Sequence, residues 1–355
     1  MLDRLPIELV SHILSFLDPP SPSRLTKPSS LYACCLVSKR VKEVAQPLLW
    51  LAVVVEKRGD LKAVKPEATS TGLIRYTRIL AVDKNVCAAK ELEGLAQNST
   101  GLREIRLRNL VLTNRDGVDA VLPHLTHLRR ISFFNLEFLE VREPLAFPSL
   151  FSLSLHAVYT TRALLEGFLV PQYLPHLRML SLTDLWDHWM SGTCPFLPAL
   201  SAALLDQLDV LQLAHEELHL SSAVMASHPH TLLSAHVEDL PNNPPRSASL
   251  RYKHLRIRPF PLDDSVPMDS SERAGLDELA ESLPHLNLTT LLLPLQLQHP
   301  SFRNEHVSIL AECEKKRIDV LWEDALEEED ADILIAEKFR DWRLKKEKEE
   351  AERAG

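Results

Sequence analysis

Two stretches that repeat each other decide the fold, PHLRMLSLTDL at residues 175–185 and DQLDVLQLAHE at residues 206–216. Both fit the pattern L-x-x-L-x-L, with the leucines at 177, 180 and 182 in the first stretch and at 208, 211 and 213 in the second. In a β-strand, residues two apart lie on the same face. Each stretch therefore predicts a short strand whose leucines point into a core.

Related stretches recur from residue 76 onward, for example TGLREIRLRNL at 100–110 and PSLFSLSLHAV at 148–158. We place the first position of successive repeats at Tyr76, Leu102, Leu128, Leu150, Leu177, Leu208, Leu232, Tyr252 and Leu288. Five of the connecting segments have the composition of helices: 87–98, 161–170, 199–208, 272–283 and 306–316. Residues 52–55 and 318–322 are expected to be flanking strands. Strand-and-helix units at such a period stack on their neighbours and share one core.

This pattern resembles a divergent leucine-rich repeat, and the resemblance implies an α/β solenoid over residues 51–322. The sequence departs from the family in two ways. The ninth position holds Leu or Val where many family members have Asn, and the longest step contains a loop rich in Pro and Asp at 259–271. Regular curvature is therefore not implied. An α/β sandwich with coincidental leucine spacing is the alternative.

Composition restricts the function classes. The formal net charge is −9, and residues 323–355 account for −6 of it, which disfavours a general nucleic-acid binder. Five cysteines without CxxC spacing indicate reduced thiols, and the N-terminus lacks the pattern of a signal peptide, so we expect an intracellular protein, cytoplasmic or nuclear. The longest apolar run, 48–55, is too short to span a membrane. No glycine-rich phosphate loop is present, and no cofactor is expected.

The first fifty residues contain three short amphipathic helical segments, LPIELVSHILSFL (5–17), SLYACCLVSKRV (30–41) and KEVAQPLLW (42–50). Three such helices bury too little apolar surface to form a stable domain alone. Their pattern resembles an F-box, through Leu-Pro-x-Glu-Leu, Ile-Leu-x-x-Leu, Leu-Val-Ser-Lys and Leu-Trp in that order. The loop 18–30 is longer than the turn of the family. An ordinary helical cap on a larger fold is the alternative.

The resemblance implies docking on the Skp adaptor of a cullin–RING ubiquitin ligase. It assigns the apolar contact to the Leu-Pro pair, the first helix and the second helix: Leu5, Pro6, Leu9, Ile13, Leu14, Leu36 and Val37. The chain would then be a non-catalytic substrate receptor of an SCF-type ligase, holding an unidentified client protein on its repeats. A repeat scaffold that acts outside the ligase is the alternative.

HEELH at 215–219 has the spacing of a zinc-peptidase motif, with Glu216 between His215 and His219. The repeat alignment places these residues at the end of a strand and in the turn after it, whereas a two-histidine zinc site needs the middle of a helix. With 15 histidines in the chain, such a match arises easily by chance. We therefore expect no metal site and no enzymatic activity.

Alternation along the strands predicts which side chains face solvent. These are candidate client contacts: Arg106, Arg108, Arg130, Phe134, His156, Arg256 and Arg258. Because arginine suits carboxylate and phosphate recognition, they predict an acidic or phosphorylated client segment. Residues 323–355 form a third region, a charged helix, in which Ile335, Phe339 and Trp342 make a narrow apolar stripe that could cap the end of the solenoid.

Overall fold

The computed structural model describes residues 5–17, 29–56, 73–83, 89–109, 111–112, 125, 127–138, 146–187, 194–195, 197–214, 228, 230–237, 240, 253–258, 270–323 and 328–354. It is a mixed α/β structure in which N-terminal helices are followed by mostly parallel strands. The chain divides into two compact units. Unit 1 comprises residues 1–177 and 185–194, and unit 2 comprises residues 178–184 and 195–355.

Unit 1 begins with three helices, α1 (Ile7–Ser15), α2 (Ser29–Cys35) and α3 (Lys39–Leu49). Ser38 caps the N-terminus of α3, because its hydroxyl accepts a hydrogen bond from the Val41 amide at 3.2 Å. This bond satisfies an amide donor that has no partner within the first helical turn. The three helices share a small apolar core made of Val10, Leu14, Leu31, Val41, Val44 and Ala45.

The strands of unit 1 are β1 (Ala52–Val55), β2 (Ile79–Asp83), β3 (Glu104–Arg108), β4 (Val111–Leu112), β5 (Arg130–Phe138), β6 (Ser152–Thr160) and β8 (Trp186–Asp187). Strands β1, β2, β3, β5 and β6 pair in that order, all parallel. One buried row crosses them in register: Val55, Val82, Leu107, Phe133 and Leu155. Helices α4 (Ala89–Asn98) and α5 (Arg162–Phe168) lie in the connections.

Unit 2 has six parallel strands in the order β7 (Met179–Thr183), β10 (Val210–Ala214), β11 (Thr231–Ala235), β12 (His254–Ile257), β13 (Thr290–Pro294) and β14 (Asp319–Glu323). Its helices are α6 (Ala202–Gln207), α7 (Ser270–Ser282), α8 (Arg303–Lys316) and α9 (Glu328–Ala354). The short strand β9 (Cys194–Pro195) lies where the two units meet in the chain. The expected flanking strands and all five expected helical connections are confirmed.

The repeat alignment is correct in the middle of the chain and shifted elsewhere. Leu182 pairs with Leu213, as aligned. Leu213, five residues after the first position Leu208, pairs with Leu233. The first position of the next repeat is therefore His228, whereas the sequence alignment placed it at Leu232. Every residue of strand β11 is buried, and its two leucines are adjacent in sequence. Because apolar and polar residues do not alternate there, the sequence does not show which leucine belongs to which face. The pairing also moves the first position of three other repeats, from Tyr76 to Thr77, from Tyr252 to Leu250 and from Leu288 to Leu286. Tyr252 and Leu250 themselves lie outside the described residues.

A left-handed residue follows the buried leucines in several repeats. Asn109, Asn135 and Ala157 in unit 1 have φ of 51°, 45° and 51°, and Asp184 in unit 2 has φ of 55°. Asn and Asp tolerate this conformation because their side chains can form local hydrogen bonds. In unit 1 they also form a ladder, in which Asn135 Nδ2 donates to Asn109 Oδ1 and Asn109 Nδ2 donates to Asp83 Oδ1, both at 2.8 Å. Asn109 and Asp184 directly follow strands β3 and β7, whereas Asn135 and Ala157 lie inside strands β5 and β6.

Candidate functional site

Helices α1 and α2 of unit 1 present large apolar side chains to solvent. Leu9 and Ile13 on α1 are 48% and 41% exposed, while Leu36 and Val37, just after α2, are 73% and 65% exposed. Soluble proteins seldom leave this much apolar surface clustered on one small element unless a partner covers it. These four residues coincide with four of the seven that the sequence assigned to adaptor docking.

The other three assigned residues differ in their environment. Pro6 is exposed and precedes the first turn of α1. Leu5 is half-buried against the helical core, and its carbonyl accepts a hydrogen bond from Arg40 Nη2 at 2.6 Å. Leu14 is completely buried beside Val10, so its assignment to the docking surface is wrong. The apolar residues of α1 form one broad stripe, and periodicity alone does not tell which part of the stripe faces inward.

Three exposed apolar residues of this region were missed. Phe16 is 70% exposed, Tyr32 is 62% exposed and Ile7 is 46% exposed. Phe16 follows Leu9 and Ile13 at positions i+7 and i+3, so helical spacing could have added it to their stripe. Ile7 lies elsewhere, in a shallow groove between α1 and α3 that Val44, Pro47 and Leu48 also line.

The comparison with protein families agrees with this geometry. Residues 2–55 match the family model described as F-box-like. That match covers the three helices and β1, which carry the whole exposed apolar surface described above. No curated protein matches the chain. The F-box-like segment therefore stands on two observations, the family match and an apolar surface that remains open for a partner.

The arginines that were expected to face solvent are largely buried. In unit 1, Arg106 is 2% exposed and Glu104 is 4% exposed. Arg106 Nε donates to Glu104 Oε1 at 2.6 Å, and Arg130 Nη1 lies 3.5 Å from the other carboxylate oxygen. Glu104, Arg106 and Arg130 lie on one face of the sheet, as the alternation predicted. The expectation that this face exposes Arg106 to solvent is wrong.

The same correction applies more strongly in unit 2. Arg256 and Arg258 are each 1% exposed. Arg256 forms a two-point pair with Glu323, through Nε to Oε2 at 2.9 Å and Nη2 to Oε1 at 2.6 Å. Arg258 Nη1 lies 2.8 Å from Asp184 Oδ2 and 2.6 Å from His236 Nε2. Both guanidinium groups are thus buried, and each contacts an acid within the unit, so neither is open to solvent as an anion receptor.

The remaining candidates are in unit 1. Phe134 is half-buried and stacks on His156, with ring centroids 4.8 Å apart and an interplanar angle of 16°. Arg108 is half-buried, and the side chain of Arg130 is 38% exposed. Of the seven residues predicted to contact a client, Arg108, Arg130 and Phe134 are therefore partly exposed to solvent. His156 is nearly buried, with 9% of its surface exposed.

Helix α9 packs on the sheet of unit 2. Phe339 is fully buried and contacts the His254 ring edge-on, with centroids 4.8 Å apart. His254 shares a strand face with Arg256, two residues away. The helix also contacts β7 and β10. The predicted stripe is therefore buried as expected at Ile335 and Phe339, but it lies on the face of the sheet that was assigned to the client.

Two of the described cysteines have thiols whose pKa is raised. Burial raises the pKa of the Cys313 thiol to about 11, and burial also raises the pKa of Cys35, so both thiols stay protonated near neutral pH. The HEELH motif, His215–His219, lies outside the described residues. No helix among those described is both long and apolar enough to cross a membrane.

Proposed function

We propose that this protein is a substrate receptor of an SCF-type cullin–RING ubiquitin ligase. The F-box-like segment would dock on a Skp-type adaptor, and a divergent leucine-rich-repeat solenoid would hold a client protein. The observation that carries the proposal is the exposed apolar surface of Leu9, Ile13, Leu36 and Val37 within a segment that matches the F-box-like family.

The function requires no chemistry within this chain. A receptor that holds its client near the ligase raises the effective concentration of the client lysines at the conjugating enzyme. The strands that support the solenoid interpretation pair in parallel and repeat one buried position, as with Leu182, Leu213 and Leu233. We accordingly propose a non-enzymatic role, in the cytosol or nucleus, without a cofactor.

The docking step is tested by measuring the affinity of the full-length protein for a purified Skp-type adaptor. A Leu36→Ala/Val37→Ala variant removes two of the most exposed apolar side chains without touching the helical core. Each such side chain contributes about 1.5–3 kcal/mol when it is fully buried in an interface. Truncation to alanine removes most of that contribution, so we expect a loss of about 2–4 kcal/mol, or roughly 30- to 1,000-fold in Kd.

The matched control is Val307→Ala, because Val307 is 60% exposed on α8, far along the chain from the F-box-like segment. It should leave adaptor affinity unchanged. Equal affinity of all three proteins for the adaptor, or no affinity in any of them, would refute adaptor docking through this surface. If the adaptor binds but no cullin co-purifies with the complex, the chain is a repeat scaffold that acts outside the ligase.

A further inference from the structure

Helix α9 is bound to the sheet of unit 2 through a narrow apolar stripe and a set of basic side chains. Ile335, Ala336 and Phe339 are at most 2% exposed, whereas Leu344, further along the helix, is 39% exposed. The stripe thus occupies about one and a half turns of a helix of 27 residues. Trp342, the third residue of the predicted stripe, is half-buried.

The basic side chains of α9 meet acids and a carbonyl at the edges of the strands. Arg340 Nε donates to Asp209 Oδ2 at 2.7 Å, just before β10. Lys346 pairs with Asp319 at the start of β14, and Lys338 Nζ donates to the Trp322 carbonyl at 2.5 Å. The two acids are partly exposed, with side-chain exposures of 28% for Asp209 and 41% for Asp319. These acids give the edge of this face two carboxylates that pair with basic side chains of the bound helix.

Beneath α9 the sheet is polar, and α9 leaves part of it unsatisfied. Ser181, Gln212 and His254 belong to one row, since Ser181 pairs with Gln212, and both Gln212 and His254 pair with Leu232. Ser181 and Gln212 are at most 3% exposed, yet Ser181 Oγ and Gln212 Oε1 have no hydrogen-bond partner among the described residues. A buried polar atom without a partner costs stability, so α9 is an imperfect ligand for this row.

We propose that this sheet face of unit 2 is a docking surface for an amphipathic helix of a partner protein that carries basic side chains beside its apolar stripe, and that α9 is its internal occupant. The partner helix has apolar residues at i and i+4, like Ile335 and Phe339, basic residues that reach Asp209 and Asp319, and a hydrogen-bond donor for Gln212. It binds by displacing α9. Only the identification of this partner as the client of the ligase rests on the proposed function.

Hydrogen exchange of the natural full-length protein tests whether α9 opens on its own. We expect the amides of α9 from residue 335 to 344 to exchange at least about tenfold faster than those of β10 and β12, through an opening that leaves the sheet folded. Equal exchange rates in α9 and the strands would overturn the proposal, because α9 would then leave the sheet only when unit 2 unfolds.

Binding is tested with a fluorescein-labelled peptide of natural sequence covering residues 328–354, measured by fluorescence anisotropy. The Arg340→Glu/Lys346→Glu variant weakens the internal α9, and the control Lys345→Glu/Lys348→Glu changes the charge equally at two lysines that are each 79% exposed. The first variant should bind the peptide roughly tenfold more tightly than the control or the natural protein, since two ion pairs no longer hold α9.

A peptide carrying Phe339→Ala should not bind, because it lacks the side chain that contacts His254. Equal peptide affinity among the three proteins, or undiminished binding of the Phe339→Ala peptide, would overturn the proposal. Both measurements are independent of the adaptor. Failure of Skp docking and failure of this inference can therefore be told apart.

Discussion

Replacing Arg256 with methionine distinguishes a client-contacting arginine from a structural one. Arg256 and Glu323 are 1% exposed each, and the guanidinium donates two hydrogen bonds to the carboxylate. If Arg256 bound a client, Arg256→Met would lower client affinity and leave folding intact. The structure instead predicts that the main effect is on stability, because the substitution leaves the Glu323 carboxylate buried without its cation.

The expected magnitude follows from burial. Removing one partner of a buried ion pair costs about 3–5 kcal/mol, a large part of the stability of a typical domain. Replacing both partners by apolar residues removes the unpaired charge, so the Arg256→Met/Glu323→Leu double variant should recover most of that loss. The control is Arg130→Ala, whose side chain is 38% exposed and lies 3.5 Å from Glu104. It should cost no more than about 1 kcal/mol.

The assay is urea unfolding of the four proteins, followed by far-ultraviolet circular dichroism, with thermal midpoints as a second measure. We expect similar unfolding midpoints for the natural protein, the Arg130→Ala variant and the double variant. The midpoint of the Arg256→Met variant should be well below these three. An Arg256→Met protein as stable as Arg130→Ala would refute the reasoning. It would show that Glu323 is not held in a closed, buried pair.

Three further outcomes are expected. Gly275→Ala in α7 would place a Cβ 1.7 Å from the Val237 carbonyl oxygen, and it should destabilise unit 2 by about 1–3 kcal/mol; Gly94→Ala in α4 meets nothing within 4 Å and should be neutral or stabilising in the same urea assay. Ala157→Asn should raise stability by about 0.5–1 kcal/mol, because Asn tolerates the left-handed φ of 51°; an unchanged or lower urea midpoint would contradict this. Burial, assisted by the Arg343 charge, lowers the pKa of His230 to about 4, so its contribution to stability is complete above pH 6.5 and is lost as the pH falls from 6.5 towards 4. The His230→Gln variant should show a shallower loss in unfolding measurements across that range, and an identical pH profile would contradict the assignment.

The sequence predicts the strands well because their signal is local. The spacing of Leu177, Leu180 and Leu182 matches that of Leu208, Leu211 and Leu213, and the observed pairing of Leu182 with Leu213 confirms it. The prediction is weaker at TLLSA in β11, where every residue is buried. A strand covered on both sides has no polar face to mark its register, and a shift of one residue exchanges its faces.

The candidate site was predicted only in part, for two physical reasons. In α1, Leu9 and Leu14 are chemically alike, and only the packing of α3 and α2 decides that Leu14 is enclosed while Leu9 stays exposed. In the strands, alternation selected the right face for Arg256 but could not show what covers it. The contact between His254 and Phe339 joins positions far apart in the chain, and no local pattern encodes it.

The burial of Arg256 and Arg258 removes the reason to expect an acidic client segment on unit 2. Alternation alone put Arg256 and Arg258 in solvent, and this favoured an acidic or phosphorylated segment. Both arginines are buried against acids of the same unit, Glu323 and Asp184. The accessible charges at the edge of this face are carboxylates such as Asp319, already matched by a lysine of α9. Since a displacing helix must replace that lysine, we expect it to carry a basic side chain at the position that meets Asp319.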